Sequence, residues 1–364
     1  MSSRSIVGLE IAERWVRGVE LVRPGSRRPA VRAVGEVPLP AGVARDSEVL
    51  DTDAVTIALR QLWTQAEFKS KDVVLGIGNR RIIVREHVAP ALPLSQIKQA
   101  LRFQVQDLLP VPVDQAVLDF YPVEPGRTES GDQGVRGLLV SAVTTNIETL
   151  LSVVSGAHLR AVGVDLAPFG LARAAARVAQ PGVRTLVAHI GETTSWFVVI
   201  EDGVSRFVRI VPGGLPAERQ GVVAAAVSDE SDLDELLTPA AAPAGVKASA
   251  MSPFPGAAPA GSDGSIPTTG SSASDDAVLD FVTVFMETRD FYLRAHPEKP
   301  IGQVLITGEG ATHPAVAARL SSACNVEVQT FGLGDALDVS AGAPDPVQNL
   351  AALTAAGIAI GGEI

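Results

Sequence analysis

The chain reads as an α/β protein of two lobes, and three features predict it. Two strand-turn-strand segments begin at Ile6 and Thr185, 179 positions apart (185 minus 6). Each is followed by alternating apolar strands and amphipathic helices, the order of a layered α/β architecture. Near the second hairpin, residues 215–275 shift to Ala, Pro, Ser, Gly and Asp, a break between ordered parts. With 364 residues, 46% of them hydrophobic, the chain can bury two cores.

The first hairpin is Ile6 to Ile11, a turn, then Val16 to Val22: β-branched runs broken by a short polar turn. A third strand is expected near Ala30–Pro38. A helix over Thr52–Phe68 places Val55, Leu59, Leu62 and Ala66 on one face, and a buried strand follows over Val73–Ile77. Gly76-Ile77-Gly78-Asn79 marks a turn before a strand at Ile82–Val88. Leu92-Pro93-Leu94-Ser95 opens a second helix with Ser95 as its N-cap and Ile97, Leu101, Val105 and Leu108 on one face; Pro110 and Pro112 end it. Strands at Val117–Val123 and Gly137–Val143, a helix at Asn146–Ala157 and a strand at Ala161–Leu166 follow.

Residues 83–165 are thus expected to form an inserted βαββαβ-like subdomain, carried by a first lobe made of 1–82 and a helix over 166–180. The second lobe takes 181–214 and 276–345. Its hairpin runs Thr185–Ile190, Gly191-Glu192-Thr193-Thr194, Ser195–Ile200. A helix at Asp276–Ala295, a strand at Gln303–Thr307, the turn Gly308-Glu309-Gly310, a helix at Pro314–Ala323 and a strand at Val326–Thr330 complete it. Within 346–364, the small-residue helix Leu350–Ile360 is expected to return to the first lobe. The 215–275 segment has too few large apolar residues to offset the entropy of ordering, so about 50 of its residues are expected to be disordered.

Charge and cysteine content exclude several function classes. A net charge of −11 provides no basic field for nucleic-acid phosphates or anionic lipid, although Arg outnumbers Lys 25 to 5. Cys324 alone forms no internal disulfide and no Cys-rich zinc site, which suits a reducing cytoplasm. The amino terminus runs into a strand without the apolar stretch of a secretory signal. The apolar run Leu350–Gly362 is shorter than the roughly 20 residues that a bilayer-spanning helix takes. The expectation is a cytoplasmic protein without direct membrane insertion, brought to the inner face of the cell membrane by a partner.

Five segments, taken with their order and spacing, resemble the PilM family of type IV pilus assembly proteins, and more remotely the cell-division protein FtsA. The stretch Ala100-Leu101-Arg102-Phe103-Gln104-Val105-Gln106-Asp107-Leu108-Leu109-Pro110-Val111-Pro112, followed by Val117-Leu118-Asp119-Phe120, looks like that family's helix to "P-F-P" junction and its "LDY" strand. Val164-Asp165-Leu166-Ala167-Pro168-Phe169-Gly170-Leu171-Ala172-Arg173 is similar to its "VD-x-x-x-x-ALAR" segment. Ile306-Thr307-Gly308-Glu309-Gly310-Ala311 stands where the family has "LSGGGA". Phe207-Val208-Arg209 and Gly213-Gly214 stand where it has "F-x-R" and a Gly pair. The resemblance spans residues 5–214 and 277–362. It implies a duplicated actin-like (ribonuclease H-like) fold, two βββαβ lobes around a cleft with the extra unit on lobe one.

The resemblance also says what the cleft has lost. Where the family's first phosphate turn follows "D-I-G-S-S-S-V-K", this chain reads Glu10-Ile11-Ala12-Glu13-Arg14-Trp15-Val16-Arg17. Ala12 replaces the glycine that lets backbone approach phosphate, Glu13 adds repulsion and Trp15 adds bulk. His189 replaces the usual aspartate before Ile190-Gly191, and a neutral imidazole is a poor Mg²⁺ ligand. Glu309 interrupts the Gly pair beside adenosine. The 215–275 insertion falls where lobe two would carry a helical unit over the nucleotide. Residual nucleotide contacts are assigned to Glu10, Arg14, Gly191, Thr193, Thr194, Gly213, Gly214, Gly308 and Gly310. No catalytic or metal-ligating residue is expected, and no cofactor, with ATP and Mg²⁺ as the alternative.

In the resembled family, the cleft between lobe one and its inserted subdomain holds the cytoplasmic amino-terminal peptide of a single-span membrane partner, PilN. An extended peptide needs main-chain hydrogen-bond partners and apolar pockets. Candidates here are Arg80, Arg81, Arg85, Arg102, Phe103 and Gln106; the plainer reading makes Arg102 and Gln106 a solvated helix face and Phe103 a core edge. The resemblance thus implies a scaffold of a type IV pilus, or of a related competence or secretion machine, docked on a PilN-like protein and coupled to the pilus motor and platform. The alternative is a working ATPase whose nucleotide state tunes that docking. A membrane-bound filament former would end in a basic amphipathic helix, and a sugar kinase would need a catalytic aspartate; neither is evident.

Overall fold

Two sheets with the same strand order organise the computed structural model, which describes residues 5–26, 29–45, 48–128, 130–216, 270–339 and 346–362. The chain begins with β1 (Ser5–Ile11), β2 (Trp15–Val22), β3 (Ala30–Pro38), the short pair β4 (Ala44–Arg45) and β5 (Glu48–Val49), α1 (Thr52–Gln65) and β6 (Asp72–Ile77). It continues with β7 (Ile83–Pro90), α2 (Leu94–Gln104), β8 (Ala116–Arg127), β9 (Gln133–Val143), α3 (Thr144–Gly156), β10 (Arg160–Leu166) and α4 (Ala167–Ala175). The second half carries β11 (Thr185–Ile190), β12 (Thr194–Glu201), β13 (Val204–Pro212), α5 (Gly270–Ala295), β14 (Gln303–Thr307), α6 (Val316–Cys324) and β15 (Val328–Thr330). Last come α7 (Leu333–Ala336), β16 (Asp338–Val339), α8 (Pro346–Ala351) and α9 (Leu353–Ile360).

The first-lobe sheet runs β10-β6-β1-β2-β3-β16 and the second β13-β12-β11-β14-β15. Read from the third strand of each hairpin unit, both are three antiparallel strands followed by two parallel ones. The hairpins share one register: Ser5 faces Val22 and Ile11 faces Val16, while Thr185 faces Ile200 and Ile190 faces Ser195. The duplication expected from the 179-residue spacing is therefore carried into the hydrogen-bond pairing, and the fold is the two-lobed actin-like one. Residues 217–269, most of the expected low-complexity insertion, lie outside the described residues.

The unit expected over 83–165 divides. β7, β9 and β8 form a separate antiparallel sheet with α2 packed on β8, a βαββ subdomain. By contrast, α3 packs on α1, and β10 pairs in parallel with β6. Periodicity names a strand without naming its neighbour; here the buried faces of α3 (Leu150, Val153, Val154) and Leu166 of β10 join the first-lobe core. The Ser95 cap is likewise corrected. Helix α2 begins at Leu94, after Pro93, with no side-chain cap, so Ser95 lies inside the first turn; α1 is the helix with a capped start, Asp51 accepting from Asp53 N and Ala54 N.

Two helices bring the lobes together. Helix α9 is apolar on every side and nearly all of it is buried, as such a helix must be. It lies on β1, β2 and β6 and crosses α4, which itself touches both sheets. The crossing is set by backbone contact: a Cβ at Gly357 would stand 1.9 Å from the carbonyl oxygen of Gly170. The Asp165 and Arg173 of the "VD…ALAR" stretch have a structural role here. Arg173 pairs with Asp165, and its Nε donates to the Gly357 carbonyl at 3.0 Å, so one arginine ties β10, α4 and α9. The second core packs Val278, Phe281, Phe285 and Tyr292 of α5 with Leu186 and Phe197 of the sheet.

Gly357→Ala is expected to cost about 2 kcal/mol or more in urea denaturation, although alanine favours helix, because neither backbone can yield. Gly334→Ala, which meets open space, is expected to stay within about 0.5 kcal/mol of the parent. Equal costs would mean that the α4–α9 crossing relaxes.

Candidate functional site

Where the two hairpins face each other, a row of charges crosses the first sheet. Glu10 on β1 faces Arg17 on β2, and Arg17 faces Glu36 on β3, so the three side chains share one face. Arg17 is buried. Its Nε donates to Glu36 Oε2 at 2.7 Å, its Nη2 lies 2.5 Å from Glu36 Oε2 and from Glu309 Oε1, and its Nη1 donates to the Ala351 carbonyl at 3.2 Å. Glu309 comes from the second lobe, aimed inward by the left-handed Gly308 (φ 91°) that starts the 3₁₀ turn after β14.

The second lobe offers a different pair at the equivalent positions. His189 and Trp196 face each other across β11 and β12, each 179 residues after Glu10 and Arg17 (189 minus 10, 196 minus 17). Their rings stack at 4.4 Å. Trp196 Nε1 donates to the Gly78 carbonyl of the first lobe at 2.9 Å, and His189 Nδ1 lies 3.4 Å from Thr354 Oγ1 of α9. At the mouth, Arg14 of the first turn lies 3.7 Å from Glu192 of the second.

Burial governs the electrostatics. Burial pushes the Glu10 carboxyl up to about 7, with Arg17 pulling it back and Glu309 and Glu36 adding to the rise; its Oε2 has no hydrogen-bond partner among the described residues. Burial also pushes His189 down to about 4, against the pull of Glu309. The imidazole is neutral at pH 7, and its 3.9 Å approach to Glu309 is then no ion pair. For Glu309, burial works upward but Arg17 outweighs it and holds the carboxylate below its ordinary value. Arg17 is thus the one full positive charge at the centre of this cluster, shared by Glu36 and Glu309.

The residues assigned to residual nucleotide contact fall into two groups. Glu10, Arg14, Gly191, Thr193 and Thr194 line a cavity of about 40 Å³ together with Arg17, His189 and Glu309. Gly213, Gly214, Gly308 and Gly310 do not line it; at Gly214, Gly308 and Gly310 the missing side chain makes room for the protein itself, while Gly213 (φ 97°) faces open space and serves the turn by its positive φ. A Cβ at Gly214 would meet the Gly191 carbonyl oxygen at 1.9 Å, and one at Gly308 the Ile190 oxygen at 2.5 Å. The Gly213 N–H donates to Thr193 O and Leu215 N–H to Gly191 O, both at 2.8 Å, stitching the second turn to the end of β13. Sequence alone assigns no role to Arg17 or Trp196; the available signal for Arg17 was a charge in a strand, Val16 to Val22, that is otherwise apolar apart from Glu20.

The groove candidates also separate. Arg81 lies 3.3 Å from Glu48 of β5, which also accepts from Asn146 of α3 at 2.7 Å; this is the junction of first lobe and inserted sheet. Arg80 precedes it and Arg85 is exposed on β7. Arg102, Phe103 and Gln106 stand on the exposed side of α2 and the turn after it, opposite the buried Ile97 and Leu101. Phe103 is 76% exposed, which is no core edge.

The opposed shifts of Glu10 and His189 predict a pH signature. The folded pKa of His189, about 4, lies below its ordinary 6.5, so the unfolded chain binds the proton first and acidification through that window costs stability. That of Glu10, about 7, lies above 4.5, so the folded chain binds first and acidification adds stability. Each is worth about 3 kcal/mol and they oppose between pH 4.5 and 6.5. Glu10→Gln is expected to unmask the loss on acidification and His189→Gln the gain, read by urea denaturation across pH. Parallel profiles for the two variants would sink this assignment.

Comparison with known proteins places the chain. A model of the family described as type IV pilus assembly protein PilM matches residues 8–214, more than half of the chain. Among solved structures, the "PilM-PilN type IV pilus biogenesis complex" is similar at 20% identity and a TM-score of 0.72, covering 98% of each chain. The ethanolamine utilization protein EutJ from Carboxydothermus hydrogenoformans, at 16% identity and TM-score 0.45, covers 99% of this chain and 90% of that one. A protein with actin-like ATPase fold from Bacteroides thetaiotaomicron, at 8% and 0.47, covers 97% and 96%. No curated protein matches. Among the described residues no helix is long and apolar enough to cross a membrane. The chain belongs to the PilM family of type IV pilus assembly proteins.

Proposed function

We propose that this chain is a scaffold of a type IV pilus, or of a related competence or secretion machine. It would hold the cytoplasmic amino-terminal peptide of a PilN-like single-span membrane protein while its interlobe cleft takes no nucleotide. The family match over residues 8–214 carries the first half of this reading. The similar solved structure is of a complex whose second member is PilN; at 20% identity it shares shape with this chain, and the partner is carried over by analogy. Peptide capture is assigned to the junction of first lobe and inserted sheet, where Arg81 is exposed beside Glu48 and Arg85 is exposed on the adjoining β7. Reached through such a partner, the protein would work at the inner face of the membrane, beside the pilus motor and platform.

The state of the cleft supports the second half. A cavity of about 40 Å³ is far below the roughly 300–1,000 Å³ of small-molecule sites. Glu13 and Glu192 add negative charge where phosphates would lie. Arg17, the cation nearest a phosphate path, is held by two carboxylates and a carbonyl.

Titration calorimetry with the amino-terminal peptide of a PilN-like protein encoded nearby is expected to show binding, weakened about tenfold or more by Arg81→Glu with Arg85→Glu. Failure to bind any such tail would remove the partner assignment. Millimolar Mg-ATP is expected to leave the melting temperature unchanged; a rise abolished by Gly191→Trp would establish instead an ATPase whose nucleotide tunes docking.

A further inference from the structure

We propose that Arg17 and Glu309 form a built-in clasp, holding the two lobes closed without a ligand. The inference rests on the reading that the cleft takes no nucleotide, and adds what replaces it. In a two-lobed nucleotide clamp, closure comes from groups on both lobes reaching for the same charge. Here the shared charge is a guanidinium belonging to the chain. Arg17 projects from β2 of the first lobe, and Glu309 meets it from the turn after β14 of the second at 2.5 Å. Both are buried, so water competes little for either.

Three features make this a clasp and not an incidental pair. Glu36 holds Arg17 from its own sheet, so the guanidinium is aimed before Glu309 arrives. Other interlobe contacts flank it: Trp196 Nε1 donates to the Gly78 carbonyl and Arg14 lies near Glu192, while Arg206 with Glu124 and His296 with Glu86 tie the inserted sheet to the second lobe. Opening would part Glu309 from its cation and leave it in a lining that carries further carboxyl groups, Glu10, Glu13 and Glu192, and separating the partners of a buried pair is among the costlier changes a protein can suffer.

The test measures lobe separation in the full chain. With Cys324→Ala as background, spin labels at Gln65→Cys (exposed, α1) and Ala323→Cys (exposed, α6) report the distance between lobes by pulsed electron resonance. The parent is expected to give one narrow distribution that Mg-ATP leaves unmoved. Glu309→Gln, nearly the same shape without the charge, is expected to raise the open-to-closed ratio about tenfold or more, and Arg17→Met likewise; the double variant should add little to either, as for one shared interaction. If Arg17→Met fails to fold, Glu309→Gln decides. Narrow, parent-like distributions in the folded variants, with ATP still inert, would overturn the clasp and leave the empty-cleft reading standing. A parent distribution that Mg-ATP narrows or shifts would overturn both.

Discussion

A guanidinium shut away from water beside three carboxylates is the constraint around which the rest of this molecule is arranged. Arg17 is tolerable at the centre of the fold only because Glu36 and Glu309 meet it directly; without them its desolvation would cost several kcal/mol. That requirement sets much else. The registers of β1 with β2 and β2 with β3 put Glu10, Arg17 and Glu36 in one row. The positive φ of Gly308 turns Glu309 into reach. The carbonyl of Ala351, freed where α8 gives way to α9, supplies a further acceptor.

The two halves show how far side chains drift while backbone pairing stays. Positions separated by 179 residues share their place in the hairpin yet hold unlike chemistry: a carboxyl and an imidazole, a guanidinium and an indole. Arg17, Trp196 and His189 each find a partner on the opposite lobe or on α9, so the duplication has become a mutual fit between unequal halves. The fold records ancestry, and the use to which it is put is decided at such positions.

Much of the architecture was legible in the amino acids. Strand and helix identities followed from β-branched runs and from spacings such as Val55, Leu59 and Leu62, because burial on one face leaves a period. Strand partnership was not legible: nothing in residues 160–166 says that they pair with β6 and not with the inserted sheet, since an apolar strand suits either neighbour. Ala12, Trp15 and His189 stood out in the sequence as departures from the pattern of the resembled family. The pairing at the centre of the cleft was not visible there, because Glu309 and Arg17 stand 292 positions apart and only the folded chain brings them together. For Phe103 the sequence left two readings, groove residue or core edge, because the helix face it occupies was not fixed; its exposure removes the second.

The placement of α9 reverses the order in which the lobes can be finished during synthesis. Strand β1 leaves the ribosome 342 positions ahead of α9 (353 minus 11), yet its inner face, from Gly8 onward, is closed by residues 353–360. The five strands of the second lobe close on helices made within the same stretch of chain. The first-lobe sheet therefore waits, with its apolar floor uncovered, until the second-lobe strands and α9 have followed it, and is the sheet more in need of shielding in the meantime.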